Sequence, residues 1–332
     1  MMDSHDEVHN LNSATAAAVV ALLGAAALSS ASCGAMQNAL QLRSEMLVST
    51  AWLQQHLDDR DLVVLYVGRD RSEYDAGHIP GARFLPLDEL VEQHKDSLND
   101  LPSVATLQTV FESLGVGNDS RVVLYGDSGG MLAARAYFTL DYLGHGDQAA
   151  LLDGGMEKWK SEARKTDRHV VHPGQTHFTP RIQSDVLITT VDLREMTRAN
   201  GPSNSVLLDA RSPREFDGTV MSEAIPKAGH LPGAHSLYWK TLLQSDALPA
   251  LRDNAELQQQ FASAGAEPDK LIVTYCRTGM QSSFTYFVAK YLGYRAARYD
   301  GSVYEWVNRA GYDLVISKQA AGEAPAVSQS VK

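Results

Sequence analysis

Cysteine is nearly absent from this chain of 332 residues, occurring only as Cys33 and Cys276. A disulfide-built scaffold and a four-cysteine zinc site are both excluded. Basic residues are also few, with 29 Lys and Arg against 40 Asp and Glu and a formal net charge of -11. No Lys/Arg cluster overrides that total, so no nucleic-acid partner is expected. The 11 His residues show no metal-ligand spacing, and no metal is expected.

What is present is the composition of a soluble globular protein, 44% hydrophobic and 21% charged. The length corresponds to about two domains, each able to bury its own core without a staple.

Residues 1–35 read as a leader. Positions 1–13 are polar, Ala14 to Ala31 is almost purely small and apolar, and Ser-Ala-Ser-Cys-Gly-Ala spans 30–35 at its end. Such a run before small residues is the pattern of a secretory signal, although Asp3, Asp6 and Glu7 stand where basic residues are usual. Export to the periplasm is the expectation, with a cytoplasmic tail as the alternative. Membrane contact is expected only if the leader is retained or Cys33 is lipidated.

The rest of the chain is a duplication. Arg121 to Gly144 matches Lys270 to Gly293 at a constant offset, with Gly130/Gly279, Tyr137/Tyr286, Phe138/Phe287 and Gly144/Gly293 identical. Gly77-His78-Ile79-Pro80-Gly81-Ala82 returns as Gly229-His230-Leu231-Pro232-Gly233-Ala234, and Asp153-Gly154 with Trp159 returns as Asp300-Gly301 with Trp306. His78 and His230 therefore read as structural, and Trp159 and Trp306 as core. Short apolar runs at 62–67, 121–125, 206–208 and 271–275 read as buried parallel strands. Helical patterns from about Met131 to Leu143 and Ser282 to Leu292 each stop at a glycine. The expected domains are 46–164 and 184–318, joined by a linker at 165–183 and followed by a tail at 319–332.

Chemistry converges on one loop. Cys276 ends a strand, and Arg277-Thr278-Gly279-Met280-Gln281-Ser282 leads into a helix. Backbone N–H groups of such a loop, with the helix N-terminus, form an anion nest. A thiol in that setting is expected to ionise below its usual pKa of about 8.5. Cysteine phosphatases need an Arg six residues after the nucleophile, and that position is Ser282. A thiolate that accepts sulfane sulfur, with the nest holding the persulfide, fits better. The bland alternative is a buried structural cysteine.

These motifs together resemble a tandem rhodanese-domain sulfurtransferase of the thiosulfate and 3-mercaptopyruvate families, from about Met46 to Ser317. The resemblance implies an α/β fold of two rhodanese-like domains, each a mostly parallel sheet with helices on both faces. It implies that only the second domain is catalytic, and Asp127 indeed stands in the first repeat where the second has Cys276. It implies a small-molecule sulfur donor, a cyanide or thiol acceptor, and a covalent Cys276 persulfide with no separate cofactor. Arg277, Thr278 and the amides from Gly279 through Met280 and Gln281 to Ser282 are expected to hold the anion. Arg211, of the Asp209-Ala210-Arg211 motif, is expected to bind the donor or to pin the loop, with Asp209 in support. Family members often carry a substrate-binding Arg four residues after that Arg; here the position is Glu215 and its neighbour is Arg214, a candidate substitute. Arg277 favours thiosulfate as donor, and the hydroxyl of Thr278 leaves 3-mercaptopyruvate open. A persulfide carrier that docks a partner protein is the non-enzymatic alternative.

Overall fold

The computed structural model describes residues 40–198, 204–309 and 312–316. The leader, Cys33 and the tail at 319–332 lie outside the described residues.

In the first half, strands β1 (Leu47–Val48), β2 (Leu62–Gly68), β3 (Arg83–Pro86), β4 (Arg121–Gly126) and β5 (Ala149–Leu152) form one sheet, ordered β1-β5-β4-β2-β3. Helices α1 (Thr50–His56), α2 (Ser72–Ala76), α3 (Val104–Ser113), α4 (Met131–Tyr142) and α5 (Gly155–Ser161) connect them. The second half repeats the plan. Strands β6 (Leu187–Ile188), β7 (Ser205–Asp209), β8 (His235–Ser236), β9 (Leu271–Tyr275) and β10 (Ala296–Tyr299) are ordered β6-β10-β9-β7-β8. Its helices are α6 (Thr190–Met196), α7 (Pro213–Phe216), α8 (Asn254–Ser263), α9 (Met280–Tyr291) and α10 (Ser302–Asn308). Every pairing between these strands is parallel.

Parallel strands are covered on both faces, which the sequence meets by being apolar at consecutive positions. Val63, Leu65 and Val67 of β2 face a core shared with α3 and α4, whereas Leu62, Val64 and Tyr66 face α1, α2 and α5. The first of those cores continues into the second half through Val206, Leu208 and Ile272. At its centre α4 and α9 lie against each other. Both are buried along nearly their whole length, so polar residues they carry, such as Arg135 and Ser283, are hydrogen-bonded inside the protein. Tyr137 meets Phe287 with ring centroids 5.0 Å apart, and Phe138 meets Tyr286 at 5.2 Å, both edge to face. The repeat thus packs about a pseudo-two-fold.

Helix α9 begins two residues earlier than its pattern suggested, because Gly279 at φ 91° turns the chain directly into it. The stretch 165–183 is a strap bound to the first domain. Asp167 exchanges two backbone hydrogen bonds with His78, Phe178 is buried, and the Arg181 and Gln183 N–H groups cap the last carbonyls of α4. The segment before β1 does the same for α9, where the Arg43 N–H donates to the Tyr291 carbonyl at 2.8 Å.

Phe178→Ala is expected to lower the stability of the chain by about 3 kcal/mol in denaturant titration. A loss under about 1 kcal/mol would mean that the strap is not part of the core.

Candidate functional site

Cys276 follows β9 at its carboxyl end, the edge where open parallel sheets place ligands. Its side chain is among the buried residues at 1% exposure. The backbone around it is tied on every side. The Cys276 N–H donates to Ser302 Oγ at 3.2 Å. The Cys276 and Arg277 carbonyls accept from the Val303 and Tyr304 N–H groups, each at 3.0 Å. Those two donors lie in the first turn of α10, where a helix has no internal partners for them, so the loop and the helix end complete each other. Ser302 holds this position at φ 53°, a left-handed conformation that the first repeat gives to Gly155 at φ 54°.

The loop then curls over the sulfur. The Gly279 N–H donates to Cys276 Sγ at 3.2 Å. Only glycine fits there, since a Cβ would lie 2.7 Å from Arg298 Nη1 and 2.9 Å from the Asp300 carbonyl. The Gly279 carbonyl accepts from Arg298 Nη1 at 2.6 Å and from Ser283 Oγ at 2.9 Å. Ser282 is fully buried and its hydroxyl also turns to the Gly279 carbonyl, so its side chain supports the loop rather than facing an anion. Met280 is buried in the shared core, and Gln281 follows it in the first turn of α9. The first N–H groups of α9 have no partners within the helix, so together with that of Gly279 they are donors available to an anion.

Arg277 reaches outward and is the loop's partly exposed cation. Its Nε and Nη2 both donate to Glu215 Oε1, at 3.1 and 2.6 Å, which leaves the Nη1 edge outside the pair. Glu215 Oε2 accepts from the Ser212 hydroxyl at 2.9 Å, capping α7. Burial alone would raise the Glu215 carboxyl, but Arg277 and Ser212 outweigh it and hold it below the usual glutamate value.

For Arg211 the contacts fit the pinning alternative rather than donor binding. It is 3% exposed, its Nε and Nη2 grip both carboxylate oxygens of Asp209 at 2.6 to 3.0 Å, and Nη2 also donates to the Gly229 carbonyl at 2.9 Å. Burial works against its charge, yet Asp209 more than compensates and raises its pKa above the ordinary arginine value. The pair is a girder under the Gly229-His230 turn. Arg214 is exposed on α7, and its neighbour Glu215 is the residue turned to the loop. Adjacent helix positions diverge by about 100°, so Arg214 does not substitute for a residue at 215.

A further cluster escaped the sequence reading. Buried Arg135 from α4 and buried Arg298 from β10 both donate to Asp300 Oδ1, the former at 2.8 Å. Asp300 Oδ2 accepts the Leu101 N–H at 3.0 Å. Arg135 Nη2 donates to the Asn99 carbonyl at 2.7 Å, and Asn99 Nδ2 donates to the Thr278 carbonyl at 3.0 Å. Burial pulls Arg298 down to about 10, with Asp300 opposing the shift, so it is still cationic at neutral pH. Its signal was a break in the repeat: Arg135 and Arg298 align with Phe284 and Leu151. Among the described residues no cluster of His, Cys, Asp or Glu could hold a metal ion, and no helix is long and apolar enough to cross a membrane.

Comparison with known proteins shows the family of the fold. The family model for the rhodanese-like domain matches residues 49–162 and 189–309. The sulfur carrier protein TtuD of Thermus thermophilus is 36% identical over 286 residues, spanning 81% of this chain and 96% of that protein. The thiosulfate sulfurtransferase of Pseudomonas aeruginosa is 35% identical over 238 residues, spanning 71% of this chain and 85% of that protein. The crystal structure of the 3-mercaptopyruvate sulfotransferase SseA from Escherichia coli superposes with a TM-score of 0.68 over 77% of this chain and 98% of its own, at 24% identity. That last likeness concerns the fold.

Asp209→Asn leaves the Arg211 charge buried and unpaired, and is expected to cost about 3 kcal/mol of stability in chemical denaturation. A change below about 1 kcal/mol would show that the pair is not the girder it is taken for.

Proposed function

This chain belongs to the rhodanese family and is a sulfurtransferase, and from that premise we propose that it takes sulfane sulfur from thiosulfate onto Cys276 and passes it to cyanide or a thiol. The Cys276 thiolate attacks the outer sulfur of thiosulfate. A new S–S bond forms to Cys276, the old S–S bond breaks, and its electron pair leaves with sulfite. Cyanide then attacks the terminal sulfur of the persulfide, thiocyanate departs, and the thiolate is restored. The charges balance in both steps, and the protein's own sulfur carries the atom between them.

The observation that carries this reading is the loop itself, with a backbone N–H on Sγ and a helix N-terminus beside it. A persulfide places its negative charge one atom further out, toward those donors, so the nest gains most in the loaded state. The thiol's burial admits only a small donor. Arg277 supports thiosulfate over 3-mercaptopyruvate, because a fixed cation at the rim attracts a dianion more strongly than a monoanion. Asp127 cannot carry sulfur, so the first domain acts through its contacts. The leader-like segment supports a periplasmic location, with a cytoplasmic one as the alternative.

Thiocyanate formation from thiosulfate and cyanide is expected for the full chain and is expected to vanish in Cys276→Ser. Arg277→Ala is expected to raise the KM for thiosulfate roughly tenfold, the loss of one charge-assisted contact. Turnover with 3-mercaptopyruvate alone would overturn the donor assignment. A single loaded sulfur that no small acceptor removes would favour a carrier, as in the name of the Thermus relative.

A further inference from the structure

The Thr278 carbonyl and the Gly279 N–H belong to one peptide plane, and in a trans unit they point in opposite directions. The N–H of that plane donates to Cys276 Sγ at 3.2 Å. The carbonyl accepts from Asn99 Nδ2 at 3.0 Å. Asn99 belongs to the first domain, which has no cysteine among its described residues. From that arrangement we infer that Asn99 is a positioning residue of the sulfur site, fixing from outside the peptide plane that presents an N–H to the sulfur.

Asn99 is itself held firmly. It sits at φ 63°, a left-handed conformation that Asn adopts more readily than most residues. Its own carbonyl accepts from buried Arg135 at 2.7 Å. The hairpin that carries it is closed by reciprocal backbone bonds between Glu92 and Asp100, at 2.8 and 2.9 Å. The next residue but one, Leu101, is bound through its N–H to Asp300. A donor on such a support costs little further ordering when it holds the loop.

The repeat supplies an internal control. Asn99 aligns with Pro249 and Thr278 with Gly129, and the aligned Leu101 and Leu251 N–H groups both bond to the Asp of an Asp-Gly pair in the opposite half, Asp300 and Asp153, at 3.0 Å. The frame is therefore the same on both sides. Where the loop carries Asp127, a side chain added at Gly129 would lie 3.5 Å from Pro249, an apolar contact with no donor. Where the loop carries Cys276, the frame provides an amide that tethers the peptide plane. The hydrogen bond accompanies the sulfur, not the fold.

This inference rests on Cys276 as the sulfur-bearing residue. Its test is the pH dependence of Cys276 alkylation by iodoacetamide, followed by peptide mass in the full chain. Asn99→Gly keeps the left-handed backbone and removes the donor; Asn99→Asp keeps the shape and turns an acceptor on the carbonyl. Both are expected to move the midpoint to higher pH, by roughly half a unit or more, because the thiolate loses an oriented donor. The limiting rate at high pH is expected to match the wild type, and the melting temperature to fall by no more than about a few degrees. Superimposable profiles would overturn the inference, as would a slower limiting rate at an unchanged midpoint or a wild-type thiol inert at every pH. Alkylation needs no sulfur donor. Failure to turn over thiosulfate therefore leaves this test standing, and coincident profiles leave the donor assignment standing.

Discussion

The carboxylate of Asp300 is the point on which the site depends. It lies buried at the end of β10, receives two guanidinium groups and one backbone N–H, and so joins three pieces of chain. Arg135 and Leu101 come from the first domain; Arg298 comes from the strand beside Cys276 and holds the Gly279 carbonyl. Removing the carboxylate would leave two buried cations facing each other, a state that a folded interior does not tolerate. Cys276 lies close enough to act on Arg298 electrostatically.

Duplication explains how such a site could be assembled from a symmetric frame. The α4–α9 core and the paired Asp-Gly turns serve both halves alike. A few exchanges break the symmetry: Cys276 for Asp127, Thr278 for Gly129, Asn99 for Pro249, Arg298 for Leu151 and Ser302 for Gly155. All five lie within one bond or one contact of the sulfur loop. In the first half the same place is occupied by Asp127, whose carboxylate accepts the Tyr66 hydroxyl. The cysteine-free domain therefore touches the loop directly through Asn99 and braces it through Arg135 and Leu101, which hold Asp300.

Much of this could be read from the chain alone, because it is local. Buried parallel strands announce themselves as apolar runs, and the helices as patterns ending at Gly144 and Gly293. The placement of Cys276 between a strand and a glycine-led helix is likewise local and legible. What could not be read depends on direction or on docking. Arg211 and Arg214 carry the right charge, but one side chain turns down to Asp209 and the other out to water, and neither orientation follows from spacing. Glu215 looked like a missing arginine and proves to be the partner of Arg277. Asn99, Arg135 and Asp300 act on the loop only once the two halves are packed together; the Asp300-Gly301 motif and the break in the repeat at Arg135 are visible in the chain, but the contacts they make are not.

The most direct test of this account is the intact mass of the protein after exposure to thiosulfate and removal of excess donor. The account predicts a gain of one sulfur atom per chain, absent in Cys276→Ser and lost from the wild type on adding cyanide. A gain that survives in Cys276→Ser, or a wild type that retains no sulfur while still forming thiocyanate, would contradict it.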